Sequence, residues 1–173
     1  MAVKSYLQNR AYRKKFSSVG QGLTLIGSPW IHGEGNITAG ANLTLRCPLF
    51  PIEIFARENA IIKIGNDVKI NQGVTIASFA KIEIGDNILI GDHTTIFDTD
   101  WHGIDGKPAK TAPVIIGNHV WIGINVIILR GVTIGDNSIV AAGSVVTKDV
   151  DKNTIIAGNP PKKVGSTITG WTW

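Results

Sequence analysis

Apolar side chains recur along this chain at every sixth position. Ile116, Ile122, Ile128, Ile134, Val140 and Val146 form an unbroken column, with Gly117, Gly123 and Gly135 following three of its members. Upstream, Ile64, Ile70, Ile76 and Ile82 keep the same interval, and Ile84, Ile90 and Ile96 resume it after a shift of two. Leu25, Ile31, Ile37, Leu43 and Leu49 carry it towards the N-terminus. A second column lies four residues on, at Val68, Val74, Val120, Val126 and Val132. An interval of six is even, so its members point to one face of an extended strand, and it does not match the helical period. The pattern predicts an all-β chain of short strands and corners, with one inward aliphatic per strand. A small or turn-forming residue then follows at each corner. Three hexads make one three-sided coil of 18 residues, and 116–133 and 134–151 are two successive coils. Each coil buries its aliphatics only against its neighbours, so the two ends need caps. An ordinary isoleucine-rich sandwich is the alternative, but sandwiches do not hold such a phase.

The same pattern divides the chain. Residues 1–24 precede the first regular hexad, 25–151 form the coiled body, and 152–173 follow it. The basic stretch 3–17 has apolar residues at Val3, Tyr6, Leu7, Ala11, Tyr12 and Phe16, which suits a helical or irregular cap. One interruption breaks the body: between Ile96 and Ile116 the chain reads IFDTDWHGIDGKPAKTAPVII, a loop over 98–115 extruded from the regular coil. Long loops in compact domains are usually functional.

Composition agrees with the pattern. The chain has 173 residues, 27 of them Ile and only 8 Leu, a ratio that favours strands. Hydrophobic residues make up 43%, so disorder is excluded as the main state. The single cysteine, Cys47, excludes an internal disulfide and a Cys-based zinc site. The sequence has no apolar run long enough for a membrane-spanning helix, and its N-terminus has no apolar core of the secretory kind. A cytoplasmic protein is expected. The net charge of +4 gathers around Lys4–Lys15 and around Lys148–Lys163, but no nucleic-acid motif accompanies it.

Candidate chemistry centres on the loop. His102, between Trp101 and Gly103 and near Asp98, Asp100 and Asp105, is placed to act as a general base; a solvated loop histidine is the plainer reading. His93 and His119 fall at coil corners and are expected to be exposed; His32 has no local pattern. Asp98-x-Asp100 would be a metal-binding DxD only inside a doubly wound α/β domain, which the six-residue period denies. A three-histidine zinc site on coil faces lacks the necessary pair, because Ile124 stands five residues after His119. Cys47, followed by Pro48, reads as a packed thiol. No metal is expected.

Beyond the bare period, IIGNHVWIGINVIILRGVTIGDNSIVAAGSVVTKDV followed by IIAGNPPKKV resembles the hexapeptide-repeat acyltransferases. More narrowly, it is similar to the maltose- and galactoside-type sugar O-acetyltransferases and to those that modify capsule or O-antigen. The resemblance implies a left-handed parallel β-helix, a handedness that periodicity alone does not specify. It also implies a homotrimer with active sites between subunits, acetyl-CoA as donor, a carbohydrate acceptor and direct transfer. On this resemblance His102 is the base that takes the acceptor's hydroxyl proton, and the Ile124 N–H is the oxyanion donor. Asn71, in KINQGVTI, stands where the sugar enzymes contact their acceptor, and Asp100 and Trp101, just before His102, are expected to bind the acceptor with it. The family's acidic acceptor contact is not matched, since IASFAKI carries Ser78 and Phe79 there. Trp121, Gly123, Ala142 and Gly143 match the donor cleft, Thr147 and Lys148 the pantetheine and nucleotide end, and Lys162 a phosphate contact. Two alternatives remain: an N-acetyltransferase of an amino sugar, which His102 would serve equally, and a non-catalytic β-helix subunit, which has no need of the loop.

Overall fold

The computed structural model describes residues 10–167 and Trp171. Six coils follow one another, each with one strand on each of three faces. They comprise β1 (Ser18–Val19), β2 (Thr24–Gly27) and β3 (Trp30–Gly33); β4 (Asn36–Ala39), β5 (Thr44–Cys47) and β6 (Glu53–Ala56); β7 (Ile61–Ile64), β8 (Lys69–Asn71) and β9 (Thr75–Ser78). The next three are β10 (Lys81–Ile84), β11 (Leu89–Ile90) and β12 (Thr95–Phe97); β13 (Val114–Ile116), β14 (Trp121–Ile122) and β15 (Ile127–Ile128); β16 (Thr133–Ile134), β17 (Ile139–Val140) and β18 (Val145–Val146). Strands stack in parallel into three sheets, and two final strands, β19 (Thr154–Gly158) and β20 (Pro161–Ser166), extend the second. The fold is a left-handed parallel β-helix.

Register explains the hydrophobic columns. Ile70, Ile90, Ile122 and Val140 stack on one face, and Ile76, Ile96, Ile128 and Val146 on the next, all fully buried. The two-residue shift in the pattern also has a cause. β10 is long enough to turn both Ile82 and Ile84 inward, so Ile90 pairs with Ile70, twenty residues back, whereas Ile134 pairs with Ile116, eighteen back. The N-terminal column departs from the expected phase. Leu45, not Leu43, stacks under Ile70, and Leu43 belongs to the second column, where its carbonyl accepts the Thr24 N–H. Leu49 is 78% exposed. It sits in the longer corner that leads through Pro51 to β6, where the extra residues release it from the coil.

The second column is not uniformly aliphatic. Thr94, Ser138 and Ser144 occupy it in the upper coils and are fully buried. Each hydroxyl serves corner backbone: Thr94 Oγ1 donates to Gly123 O at 2.8 Å and accepts the Val126 N–H at 3.2 Å, and Ser144 Oγ donates to Ala141 O at 2.7 Å and accepts the Gly158 N–H at 3.1 Å. A buried hydroxyl is stable only when paired in this way.

The ends are covered differently. Residues 10–13 are helical, and Tyr12 and Phe16 pack against the first coil. The apolar positions Val3, Tyr6 and Leu7 lie outside the described residues, as do Thr172 and Trp173. At the other end β19 and β20 pair antiparallel, the only such strand pair among the described residues, and close the second sheet. Among the described residues no helix is long and apolar enough to cross a membrane.

Candidate active site

Two clefts collect most of the residues singled out above. The first, of about 530 Å³, lies on the second sheet and its following corner. Its lining includes Asn71, Trp121, Gly123, Ile124 and Ala142, together with the outward side chains of Leu89 and Ile139. The strand period puts Asn71, Leu89, Trp121 and Ile139 on the outer face, and the corner carries Gly123, Ile124 and Ala142. Gly123 is dictated by stacking, since a Cβ there would stand 2.7 Å from Ala142 N. The Ile124 N–H has no hydrogen-bond partner among the described residues, and its carbonyl accepts the Gly143 N–H at 2.9 Å. A backbone donor without a partner among the described residues thus belongs to a residue that lines an apolar cleft.

Gly143 follows Ala142 at a φ of +71° with open space beyond it, so backbone conformation rather than crowding selects glycine there. Thr147 and Lys148 lie exposed at the next corner, beyond β18, and Lys162 is exposed on β20 opposite Ala157. None of these three lines the first cleft.

The second cleft, of about 320 Å³, is formed by the extruded loop and includes Asp100, His102, Lys110 and Arg130. It shares no lining residue with the first. The loop is firmly held at its base. Buried Asp98 accepts hydrogen bonds from Ser78 Oγ at 2.7 Å and from the N–H groups of Phe79, Ala80 and Lys81 at 2.6 to 2.8 Å. Thr99 bridges Thr111, Asp100 N–H donates to Lys110 O, and Arg130 Nε donates to Asp100 Oδ1 at 2.5 Å. The two carboxylates of the D-x-D sequence therefore engage different partners. Among the described residues no cluster of three or more acidic, His or Cys side chains is arranged to hold a metal.

Trp101 takes a φ of +61°, a conformation uncommon for a bulky residue. Its N–H donates to Thr99 Oγ1, and its ring packs edge-on against Phe79 and Phe97 at 4.8 and 5.3 Å. The turn is completed by His102 N–H donating to Asp100 O at 2.7 Å and by Gly103, where a Cβ would overlap Lys107 O. The His102 imidazole is exposed and has no hydrogen-bond partner among the described residues. His93 and His119 are exposed corner residues, both at φ +57°. His32 proves more engaged than its sequence context indicates: it stacks on Trp30 and meets Glu53 Oε1 at 3.0 Å. Cys47 is buried and free.

A family model, bacterial transferase hexapeptide (six repeats), matches residues 113–148. Galactoside O-acetyltransferase of Escherichia coli K12 is 38% identical over 128 residues, covering 71% of this chain and 60% of that protein. WbbJ of the same organism, assigned by name to lipopolysaccharide biosynthesis O-acetyl transfer, is 33% identical over 147 residues, covering 77% of this chain and 73% of that protein. The hexapeptide-repeat acetyltransferase VCA0836 of Vibrio cholerae superposes with a TM-score of 0.65 at 29% identity, covering 94% of this chain and 80% of that one. The same protein complexed with acetyl-CoA gives 0.54 at 28%, covering 96% and 78%. The chain belongs to the hexapeptide-repeat acetyltransferases. It spans about half to three fifths of the length of the first curated relatives it matches.

Proposed function

We propose that this protein transfers an acetyl group from acetyl-CoA to a hydroxyl of a sugar or polysaccharide unit, directly and without an acyl-enzyme. One observation carries the reading: Asn71, Trp121, Gly123, Ile124 and Ala142, separated by up to 71 positions in sequence, line one apolar cleft around an unpaired backbone N–H. Acetyl-CoA complexes of a structural neighbour and the sugar acceptors in the relatives' names support the donor and acceptor classes.

In this reading the acceptor oxygen attacks the thioester carbonyl carbon while its proton passes to the His102 imidazole. The carbonyl oxygen gains the negative charge, and the Ile124 N–H stabilises it with no reorganisation at the moment of reaction. Collapse breaks the carbon–sulfur bond, and the leaving thiolate takes the proton from His102. Thr147, Lys148 and Lys162 hold the far end of the donor, the lysines as point charges on its phosphates. No metal enters these steps.

His102 and the donor cleft lie on separate lining sets of one subunit. We assign the complete site to a homotrimer, in which the loop of one subunit reaches the donor face of its neighbour. The site is a cytoplasmic one in this reading, where acetyl-CoA is available. The test is a thiol-release screen with acetyl-CoA over mono-, oligo- and nucleotide sugars, with product mass as second readout. Acceptor-dependent release with a 42-Da gain on a hydroxyl, a mass set by the transferred group, is expected. Release without any acceptor dependence, or acetylation confined to amines, would overturn it.

A further inference from the structure

The second sheet differs from the other two in charge. None of its eight strands carries Asp or Glu among the described residues, although Glu83 stands on the first sheet and Glu53 on the third. Its charged positions are all cationic: Arg46 on β5, Lys69 on β8, and Lys162 and Lys163 on β20. They form two pairs, one below the donor cleft and one above it. The reading above gives the upper end, beyond Ala142, to the donor, and it leaves the lower pair without a role. Arg46 is exposed, lies on the same outer face as Asn71 and is its partner in the strand register. Lys69, two positions before Asn71 on that face, is exposed and stands between Thr44 and Leu89, which lines the cleft. Among the described residues Arg46 has no hydrogen bond, ion pair or ring contact. By contrast, Arg13 donates to the carbonyls of Val19 and Gly20, Arg57 lies over Phe79, and Arg130 pairs with Asp100. Carboxylates in the flanking corners are turned to other partners. Asp67 Oδ1 accepts from Asn42 Nδ2 at 2.8 Å, and Asp92 Oδ2 accepts from Gln72 Nε2 at 3.1 Å.

We infer that Arg46, with Lys69 beside it, is an anion subsite for the acceptor, so that the sugar receiving the acetyl group carries an oxyanion, a carboxylate or a phosphate. The inference rests on the sugar-acceptor reading above and narrows its substrate class from sugars at large to acidic ones. The order of parts along the stack supports it. In that reading the thioester sits at Ile124 and the rest of the donor runs upward from it, which leaves the coils beneath to the acceptor. Asn71 is there, and Arg46 is one coil further down. Three coil steps, about 14 Å at the usual strand spacing, separate the levels of Arg46 and Ile124; the long arginine side chain and one sugar ring together bridge that distance. A guanidinium matches two oxygens of a carboxylate or phosphate in a bidentate fork, and a neighbouring ammonium adds a point charge. With no acidic side chain on its strands, the sheet keeps a positive potential over this face. A wholly neutral sugar would use acceptors for its hydroxyl protons, and these strands offer no carboxylate for them. The face also holds the donor cleft, so the reading above already requires ligands to reach it in the assembled protein.

Equilibrium binding of a panel of hexoses tests this, each offered as the neutral sugar, as its uronic acid and as its phosphate ester. Saturating CoA is present throughout, so that the donor end is filled. At least one charged form should bind about tenfold or more tighter than its neutral parent, and rising salt should shrink that gain. The uronic acid and phosphate arms tell which oxyanion the subsite takes. Arg46→Gln should bring the charged and neutral forms of the same sugar close to one affinity, and Arg46→Lys should recover part of the gain. Both variants should keep the wild-type mass by light scattering and the wild-type affinity for CoA. Binding that is absent or indifferent to charge, or a preference that Arg46→Gln keeps, overturns the subsite. An Arg46→Gln protein that separates into smaller species makes Arg46 a contact between copies of this chain, which also overturns it. A charge preference that Arg46→Gln abolishes, with no acetyl transfer to any sugar in the thiol-release screen, would instead overturn the enzymatic reading and leave the anion subsite standing.

Discussion

At the residue scale, the side chain that most shapes the site is Asp98. Its carboxylate is buried and satisfied by a hydroxyl and three consecutive backbone N–H groups. Those donors belong to the corner before β10, so Asp98 locks the start of the extruded loop to the coil beneath it. Asp98→Ala leaves those donors without their acceptor. A lost hydrogen bond to a charged group is worth about 1.5–3 kcal/mol, and the loop would loosen with it. Denaturant unfolding should report a loss of about 3 kcal/mol, and acetyl transfer should fall with donor affinity retained. The sequence placed Asp98 in the loop but offered only a metal-binding role to reject. Its real partners are a hydroxyl and backbone groups 17 to 20 positions away, which no local motif can reveal. Thr94, Ser138 and Ser144 were missed for a similar reason. Each interrupts an aliphatic column, and only the coil geometry shows the carbonyl that each hydroxyl answers.

At the element scale, the hexad is nearly self-reporting. One inward residue per short strand writes the fold directly into the spacing, which is why Ile64 to Val146 could be placed from the pattern. Legibility fails where a corner is longer than usual. Leu49 kept the numerical interval but not the register, because the corner before β6 releases it to solvent. Of the residues that the resemblance assigns to the donor, Trp121, Gly123 and Ala142 meet at one cleft, which follows from strands stacked in register, whereas Gly143, Thr147, Lys148 and Lys162 lie outside its lining. Ala142 is exposed at the corner of that face, so Ala142→Trp should fold normally while filling the cleft. The Michaelis constant for acetyl-CoA should rise at least about tenfold, about 1.4 kcal/mol, at an unchanged thermal midpoint. An unchanged constant would place the donor elsewhere.

At the scale of the whole molecule, the coils behave as a stack in which each layer is stabilised by its neighbours, capped below by Tyr12 and Phe16 and above by the β19–β20 hairpin. Such a prism is stiff, and a stiff scaffold suits the proposed site between two copies, in which the loop of one and the corner of the other would keep their positions. The sequence names candidate residues for that proposed site, but a meeting between copies is not encoded in any one motif. The most direct measurement is acetyl transfer by co-assembled His102→Ala and Ala142→Trp subunits. Separately, the first lacks the base, worth roughly a hundred- to ten-thousand-fold, and the second lacks donor room. In mixed trimers some sites pair an intact loop with an intact donor face, so activity should return to about a quarter of the wild-type rate. A mixture no more active than its two components, or a His102→Ala protein that is fully active alone, would contradict the account.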